Sequence, residues 1–234
     1  MADRPYTLLS CGMSIDGYLD SAGEGRLLLS NAADLDRVDE VRAACDAIMV
    51  GAATVRNDNP RLLVRSVDRR RRRTASGRCP HPMKVTVTER ADLDAHAAFF
   101  ATGPSEKVVY CATPKVEDAR SRFGHAGQVV DAGHPVDMRW VVDDLGARGV
   151  RRLMVEGGGT LHTQFLTADL ADELQLVVAP LFVGDSQAPR FVGDGAFPWS
   201  AGRRARLVET RQLGDVVLLR YALSERFDAA AVAS

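Results

Sequence analysis

The segment DLDRVDEVRAACDAIMVG, residues 34–51, passes from a helical pattern directly into a buried strand. Its apolar residues Leu35, Val38 and Val41 recur at the spacing of one helix face. Ala47–Val50 is then apolar throughout and has the length of a short strand. A helix that leads at once into such a strand is typical of a parallel sheet whose two faces are both covered.

The same alternation continues on both sides of this segment. Helices are expected after a cap at Ser30 or Asn31, at Pro114–Phe123 and at Met138–Arg148. Further apolar runs of strand length are Tyr6–Cys11, Met83–Thr88, Lys107–Cys111, Gln128–Val130 and Arg152–Val155. Strands that alternate with helices predict an α/β fold, with a mostly parallel central sheet and helices on both faces.

The C-terminal third of the chain has a different pattern. Glu173–Ala179 is a long strand closed by a proline, and Ala205–Gln212 and Val216–Leu223 flank a Leu-Gly-Asp turn. These two runs predict an antiparallel C-terminal hairpin at the edge of the sheet. We therefore expect one domain over residues 1–225 and a flexible C-terminal tail over residues 226–234.

Composition excludes several classes of function. The formal net charge is −1, from 30 basic and 31 acidic residues, which argues against a nucleic-acid or membrane partner. The N-terminus has no signal-peptide pattern, and no apolar run approaches 18 residues, so a cytoplasmic location is expected. The four cysteines are far apart and the histidines lack ligand spacing, so we expect no disulfide framework and no metal site.

Two stretches are interpreted as irregular. The five arginines Arg69–Arg73 lie within Ser66–Pro82, where adjacent like charges predict a solvated, mobile loop, with binding of a phosphorylated ligand as the alternative. Residues Gly184–Gly202 are rich in Gly, Pro and Asp and carry three aromatic residues. They predict a long loop that is held down by those aromatic side chains.

Three strand ends carry small residues that would let a ligand approach the backbone. In Val155–Leu161 a buried strand ends at a carboxylate, and three glycines then lead into a helix, which fits either a phosphate cradle or a plain tight turn. The other two are Val50–Pro60 and Gly12–Gly17. Since ligands bind at the carboxyl ends of parallel strands, the three together indicate a crevice for a dinucleotide.

Three longer segments then carry a family resemblance. They are GMSIDGYL (12–19), DLDRVDEVRAACDAIMVGAATVRNDNPRLLVR (34–65) and VEGGGTLHTQFLTADLADELQLVVAPLFVG (155–184). Together they resemble the pyrimidine reductase of riboflavin biosynthesis, over about Tyr6 to Leu223. The resemblance implies a dihydrofolate reductase-like fold and a homodimer. Because no zinc-binding deaminase half is found, a stand-alone reductase is expected.

The resemblance also implies a reaction and a set of site residues. In the family, NADPH delivers a hydride to the ribose C1′ of a phosphoribosylamino-pyrimidine, and the sugar opens to a ribityl chain. The residues implied for the cofactor are Gly12, Thr54, Asp58, Gly158, Gly159, Thr160 and Leu161. Those implied for the substrate are Arg42, Leu62, Arg65 and Glu156.

Chemistry supports part of this assignment. Arg42 and Arg65 suit the 5′-phosphate of the substrate, because guanidinium groups form charge-assisted hydrogen bonds with phosphate. Reduction of an imine also needs a proton at nitrogen, and Asp58 and Glu156 are the carboxylates placed to relay it. The alternative is that both carboxylates only position ligands.

Departures from the family pattern leave other questions open. Ser10 stands where bacterial bifunctional enzymes commonly carry a lysine, which favours the diamino-pyrimidinone over the uracil substrate. After the third strand, Glu89 would repel a 2′-phosphate if it pointed inward, whereas Arg90 would attract one; NADPH is preferred over NADH. The competing functions are reduction of dihydrofolate, a pterin or another heterocycle, and non-catalytic binding of a dinucleotide or RNA.

Overall fold

The computed structural model describes residues 4–23, 25 and 27–227. Within this part of the chain the strands are β1 Tyr6–Ser14, β2 Ala47–Gly51, β3 Met83–Thr88, β4 Lys107–Cys111, β5 Gln128–Asp131, β6 Arg152–Val155, β7 Glu173–Ala179, β8 Arg206–Leu213 and β9 Val216–Ala222. The helices are α1 Ala32–Ala44, α2 Ala52–Asp58, α3 Val67–Ala75, α4 Ala98–Ala101, α5 Val116–Phe123, α6 Met138–Ala147 and α7 Gly159–Thr167, with a 3-10 turn at Thr113–Lys115.

The strands join one sheet in the order β5-β4-β3-β2-β6-β1-β7-β9-β8. The seven strands from β5 to β7 in this order run parallel, while β9 is antiparallel to β7 and β8 is antiparallel to β9. The predicted mostly parallel sheet with an antiparallel C-terminal hairpin is therefore confirmed. All described strands belong to this sheet.

Two apolar clusters cover opposite faces of the sheet, because successive residues of a strand point to opposite sides. In β1, Leu9 belongs to the cluster that includes α6 and the Leu161 and Phe165 side chains of α7. The preceding residue, Leu8, belongs to the cluster that includes Phe99 and Phe123. Helices thus lie on both faces, as the sequence predicted.

The arginine run is not the mobile loop that the sequence predicted. Residues 67–75 form α3, and Arg69 pairs with Asp36, Asp39 and Glu40 of α1. The Arg73 side chain is 3% exposed and donates hydrogen bonds to backbone carbonyl groups, including those of Ala43 and Cys45. Acidic residues about thirty positions earlier in the chain face the arginines and offset the repulsion among them. A pattern within the run itself does not reveal such distant partners.

A side chain at the start of α1 connects the helix to the C-terminal hairpin. The side-chain oxygen Oδ1 of Asn31 accepts a hydrogen bond from the Asp34 N–H at 3.0 Å, which makes Asn31 and not Ser30 the N-cap. The Asn31 amide nitrogen donates to the Leu213 carbonyl and the Asp215 carboxylate, at 2.5 and 2.7 Å. The turn of the hairpin is therefore fixed beside the N-terminus of α1.

The two ends of the described chain meet beside the amino-terminal ends of β1 and β7. Arg226 donates hydrogen bonds to the carbonyl groups of Arg4 and Pro5 and to the Asp172 carboxylate. Phe227 lies under the Arg220 guanidinium, at 5.8 Å from the ring centre. The rest of the predicted flexible tail, residues 228–234, lies outside the described residues.

The loop between β7 and β8 is held against the sheet, as predicted. The Phe191 N–H donates to the Gly17 carbonyl at 3.0 Å, and the Leu19 N–H donates to the Pro189 carbonyl at 2.8 Å. Phe191, Phe197 and Trp199 are partly buried against the apolar cluster that contains α7. Among the described residues, no helix is long and apolar enough to cross a membrane.

Candidate functional site

The ends of β2, β6 and β1 are neighbours in the sheet, and they line a single groove of about 1020 Å³. The Glu156 N–H donates to the Met49 carbonyl at 3.0 Å, and the Gly51 N–H donates to the Gly157 carbonyl at 3.2 Å, so the strand pairing continues into the loop. β1 extends three residues beyond its predicted end, and Gly12 therefore lies inside the strand. The three small-residue segments predicted to form one crevice do meet.

A helix N-terminus opens onto the middle of this groove. Gly157 and Gly158 have φ angles of 138° and 72°, in the region that favours glycine, and α7 begins at the next residue. A Cβ on Gly157 would meet nothing within 4 Å, so its backbone faces open space. Because N–H groups of a first helical turn lack intrahelical acceptors, this turn provides donors and a partial positive charge for an anion.

The third glycine of the run has a different structural role. A Cβ on Gly159 would lie 2.2 Å from the Arg190 carbonyl oxygen, which is closer than any side chain tolerates. Glycine is therefore required here because the loop between β7 and β8 packs directly on the start of α7. Gly159 still lines the groove.

The residues implied for the cofactor surround this helix terminus. Thr54 and Asp58 lie one turn apart on α2, with Thr54 half-buried and Asp58 exposed. A Cβ on Gly158 would lie 3.3 Å from the Thr54 hydroxyl, and one on Gly12 would lie 3.3 Å from the Leu29 Cβ. All seven line the groove: Gly12, Thr54, Asp58, Gly158, Gly159, Thr160 and Leu161.

Two of the residues implied for the substrate face each other. Arg42 Nε lies 2.5 Å from Glu156 Oε1, and its terminal nitrogen NH2 lies 2.5 Å from Oε2, so the guanidinium and carboxylate form a two-pronged ion pair. The two side chains are 18% and 12% exposed. Burial alone would lower the pKa of Arg42, but the adjacent Glu156 carboxylate raises it above its ordinary value.

The other two implied substrate residues occupy different environments. The Arg65 side chain is 54% exposed, and one of its terminal nitrogens donates to the Leu35 carbonyl at 2.7 Å. Leu35 lines the groove, so this guanidinium lies near its rim. Leu62 is 2% exposed, has a φ of 49° and packs within an apolar cluster of the core. Its side chain therefore supports the site from within the core.

Sequence reasoning missed His162, a fully buried residue of α7 at the groove wall. Burial lowers the pKa of His162 from 6.5 to about 4, against a smaller opposing effect of the Phe191 and Val155 backbone. Its ring centre lies 5.4 Å from that of Phe191, and neither ring nitrogen forms a hydrogen bond of normal geometry. The imidazole is therefore neutral at neutral pH. A single histidine without a partner at ligand spacing does not indicate, from the sequence alone, that it is buried at a groove.

Sequence reasoning also missed the segment from Leu27 to Ser30, which lines the groove on the β1 side. Leu28 is 73% exposed. The segment follows a turn-rich stretch without helical or strand periodicity, so only its position in space identifies it. Within residues 4–23, 25 and 27–227, no group of three His, Cys, Asp or Glu side chains could hold a metal ion.

Fold and groove together define an α/β protein of dihydrofolate reductase-like architecture. Dihydrofolate reductase from Enterococcus faecalis, solved in complex with NADP(H), aligns over 93% of this chain and 95% of its own, with a TM-score of 0.50 at 12% identity. A pyrimidine reductase-like protein from Corynebacterium diphtheriae aligns over 93% of this chain and 91% of its own, with a TM-score of 0.77 at 21% identity. These similarities confirm the predicted fold.

The chain belongs to the RibD C-terminal domain family, whose model matches residues 5–219. It is 32% identical over 225 residues to the 2,5-diamino-6-ribosylamino-4(3H)-pyrimidinone 5′-phosphate reductase of Archaeoglobus fulgidus. This alignment covers 96% of the chain and 99% of its relative. The resemblance to the riboflavin-pathway reductases is thereby confirmed.

Proposed function

We propose that this protein is an NADPH-dependent oxidoreductase that converts the ribosyl group of 2,5-diamino-6-ribosylamino-4(3H)-pyrimidinone 5′-phosphate to ribityl. The observation that carries the proposal is the groove in which the N-terminus of α7 opens beside the Arg42–Glu156 pair. One end of such a groove suits a diphosphate, and the other end presents charged groups to a polar, phosphorylated substrate. The name of the archaeal relative gives the particular substrate.

The cofactor is assigned to the part of the groove formed by α2 and α7. The open backbone at Gly157, the left-handed conformation of Gly158 and the first-turn N–H groups of α7 are features of a diphosphate-binding helix terminus. Thr54 and Asp58 would contact the bound dinucleotide from α2. When bound, reduced nicotinamide supplies a hydride.

The substrate is assigned to the end of the groove near Glu156 and Leu35. Both oxygens of Glu156 are held by Arg42, so the carboxylate is fixed in position at the end of β6. It can accept hydrogen bonds from the amino groups of the pyrimidine or the ribose hydroxyls. Arg65 is the more exposed of the two guanidinium groups assigned to the substrate, and we assign the 5′-phosphate to it.

The reaction requires a hydride at C1′ of the ring-opened imine and a proton at the adjacent nitrogen. The protein's main task is to align the two reactants and exclude water. The paired geometry of Glu156 favours a positioning role for it, which leaves Asp58 on α2 as the carboxylate proposed to orient or relay the proton. Replacement of each by its amide, with single-turnover measurement of hydride transfer, separates these roles.

The deciding experiment follows NADPH oxidation with the diamino-pyrimidinone phosphate and, separately, with the deaminated uracil phosphate. We expect faster turnover of the diamino compound, in keeping with Ser10 and with the name of the archaeal relative. Greater activity on dihydrofolate would instead support the alternative heterocycle reductase. Tight dinucleotide binding without turnover of any of these compounds would support a non-catalytic binding protein.

The homodimer and the cytoplasmic location remain proposals. β8 is an edge strand, and its Leu207 is 52% exposed, so we assign the contact with a second copy to this edge. Light scattering of the purified protein tests the dimer, and Leu207→Asp tests the edge. A dimer that persists in the variant at low micromolar concentration would place the interface elsewhere.

A further inference from the structure

The strand order fixes which part of a bound dinucleotide lies where. The substrate is assigned to the end of the groove near Glu156 and Leu35, so the proposed function requires the nicotinamide at that end. The diphosphate site of α7 follows β6, and the remaining part of the groove extends over β2 to β3. β3 is two strands from β6, or roughly 10 Å at the usual strand spacing. The adenosine half of the cofactor therefore lies at the end of β3.

The backbone at the end of β3 is fixed by a side-chain hydroxyl. Thr88 Oγ1 accepts hydrogen bonds from the N–H groups of Arg90 and Ala91, at 3.3 and 3.0 Å. Ala91 is fully buried with a φ of 56°. Glu89 and Arg90 are both exposed and both line the groove. The turn thus presents one acidic and one basic side chain to the adenosine end.

The acidic side chain is held by a neighbouring loop. Glu89 Oε1 accepts a hydrogen bond from the Val136 N–H at 2.9 Å, and Oε2 lies 3.8 Å from His134 Nδ1. Both contacts come from the connection between β5 and α6, on the outer side of β3 and β4. The carboxylate is therefore bound to that loop and is partly compensated, which lowers its repulsion of an anion in the groove.

The basic side chain has no such partner. Asp92, which also lines this end of the groove, pairs with Arg56 at 2.7 Å. In the part of the chain that the structure describes, Arg90 forms no ion pair. Its guanidinium is the cation at this end that remains available for a phosphate, which it can bind through two parallel N–H donors.

We propose that Arg90 binds the 2′-phosphate of NADPH and thereby determines the preference for NADPH over NADH, while Val136 and His134 hold Glu89 away from that phosphate. The inference rests on the proposed function in two respects: a nicotinamide dinucleotide occupies the groove, and its nicotinamide lies at the end assigned to the substrate. Beyond the proposed function, it identifies Arg90 as the residue that distinguishes a 2′-phosphate from a 2′-hydroxyl.

The test compares the affinities of NADPH and NADH by nicotinamide fluorescence titration in wild type, Arg90→Ala and Arg90→Lys. We expect Arg90→Ala to weaken NADPH binding by roughly 10- to 100-fold, as for loss of hydrogen bonds to a charged group. NADH affinity should stay within about twofold, because NADH has no 2′-phosphate. The NADPH affinity of Arg90→Lys should lie between those of wild type and Arg90→Ala, because lysine keeps the positive charge but lacks the planar guanidinium with its two parallel donors.

Two further variants serve as controls. Arg71→Ala removes an arginine from α3 that is 77% exposed and does not line the groove, so it should leave both affinities unchanged. Glu89→Gln keeps an oxygen acceptor for the Val136 N–H, and it should change the NADPH to NADH ratio by less than about fivefold, the range of an exposed charge. A larger gain in NADPH affinity would mean that Glu89 faces the phosphate.

The outcomes separate this inference from the proposed function. Equal losses of NADPH and NADH affinity in Arg90→Ala, or no loss of either, would overturn the role of Arg90 while pyrimidine reduction could still stand. Selective loss of NADPH affinity in a protein that reduces no pyrimidine would support Arg90 and overturn the proposed reaction. Wild type that binds neither dinucleotide would overturn both.

Discussion

His162 gives the sharpest prediction about stability. The imidazole is fully buried beside the diphosphate cradle, and burial lowers its pKa from 6.5 to about 4. The unfolded chain therefore binds a proton near pH 6.5, whereas the folded protein binds it only near pH 4. Stability that is fully present above pH 6.5 is lost progressively as the pH falls from 6.5 to 4.

The magnitude follows from the two pKa values. At 1.36 kcal/mol per pKa unit, complete protonation in the folded state costs roughly 3 kcal/mol more than in the unfolded chain. Between pH 6.5 and pH 5 the loss from His162 alone amounts to roughly 2 kcal/mol. This is a large part of the 5–15 kcal/mol by which typical domains are stable.

The assay is urea unfolding of wild type and His162→Leu at pH 7.5 and pH 5. Leucine fills the space with an apolar side chain and removes the titrating ring. Its effect on the free energy of unfolding at pH 7.5 should stay within about 1.5 kcal/mol, because the ring nitrogens form no hydrogen bond of normal geometry. The variant should lose roughly 2 kcal/mol less than wild type on acidification. His125→Leu, at an exposed position, should behave like wild type.

The comparison cancels the contribution of the carboxylates, which titrate alike in both proteins. If His162→Leu loses as much stability as wild type between pH 7.5 and pH 5, the imidazole is not the cause and the reasoning fails. Because His162 packs on Phe191, we also expect dinucleotide affinity to fall at pH 5 in wild type and to fall less in the variant.

Three other predictions concern the groove and its support. Gly159→Ala should displace the loop at Arg190, because the new Cβ would lie 2.2 Å from a carbonyl oxygen. We expect dinucleotide binding, measured by fluorescence titration, to weaken at least tenfold. An unchanged affinity would mean that the loop moves without affecting the N-terminus of α7. Glu156→Gln and Arg42→Gln should each reduce kcat/KM. Because each side chain is the other's partner, the double variant should lose much less activation free energy, calculated from kcat/KM, than the sum of the two single losses. Additive losses would show that the two residues have separate roles. Lys84→Met should lower the free energy of unfolding by roughly 1–3 kcal/mol in urea titrations. The reason is that the fully buried Lys84 ammonium group donates hydrogen bonds to carbonyl groups at the end of α4. An unchanged unfolding midpoint would mean that water satisfies those carbonyl groups.

The strands were predictable from the sequence because their signal is local. Met83–Thr88, Lys107–Cys111 and Arg152–Val155 match the observed bounds, since each is a short run rich in β-branched or apolar residues. Glu173–Ala179 matches for the same reason. The glycine run after β6 also carries its own signal, because the φ angles of Gly157 and Gly158 are ones that glycine favours.

What could not be predicted depends on contacts between distant parts of the chain. The arginines of α3 became a helix because Asp36, Asp39 and Glu40 of α1 face them. The Arg42–Glu156 ion pair joins residues 114 positions apart, and no local pattern in the sequence indicates it. Hydrophobicity alone does not show whether Leu62 faces a ligand or, as here, the core.

The position of β6 explains why such distant segments form one site. β6 lies between β2 and β1 in the sheet, although it follows both by more than a hundred residues in the chain, so its glycine loop lies between the segments that follow those two strands. The Arg42–Glu156 pair then links the last turn of α1 to the end of β6. α1 therefore joins Glu156, through Arg42 in its last turn, to the turn of the C-terminal hairpin, through Asn31 at its other end.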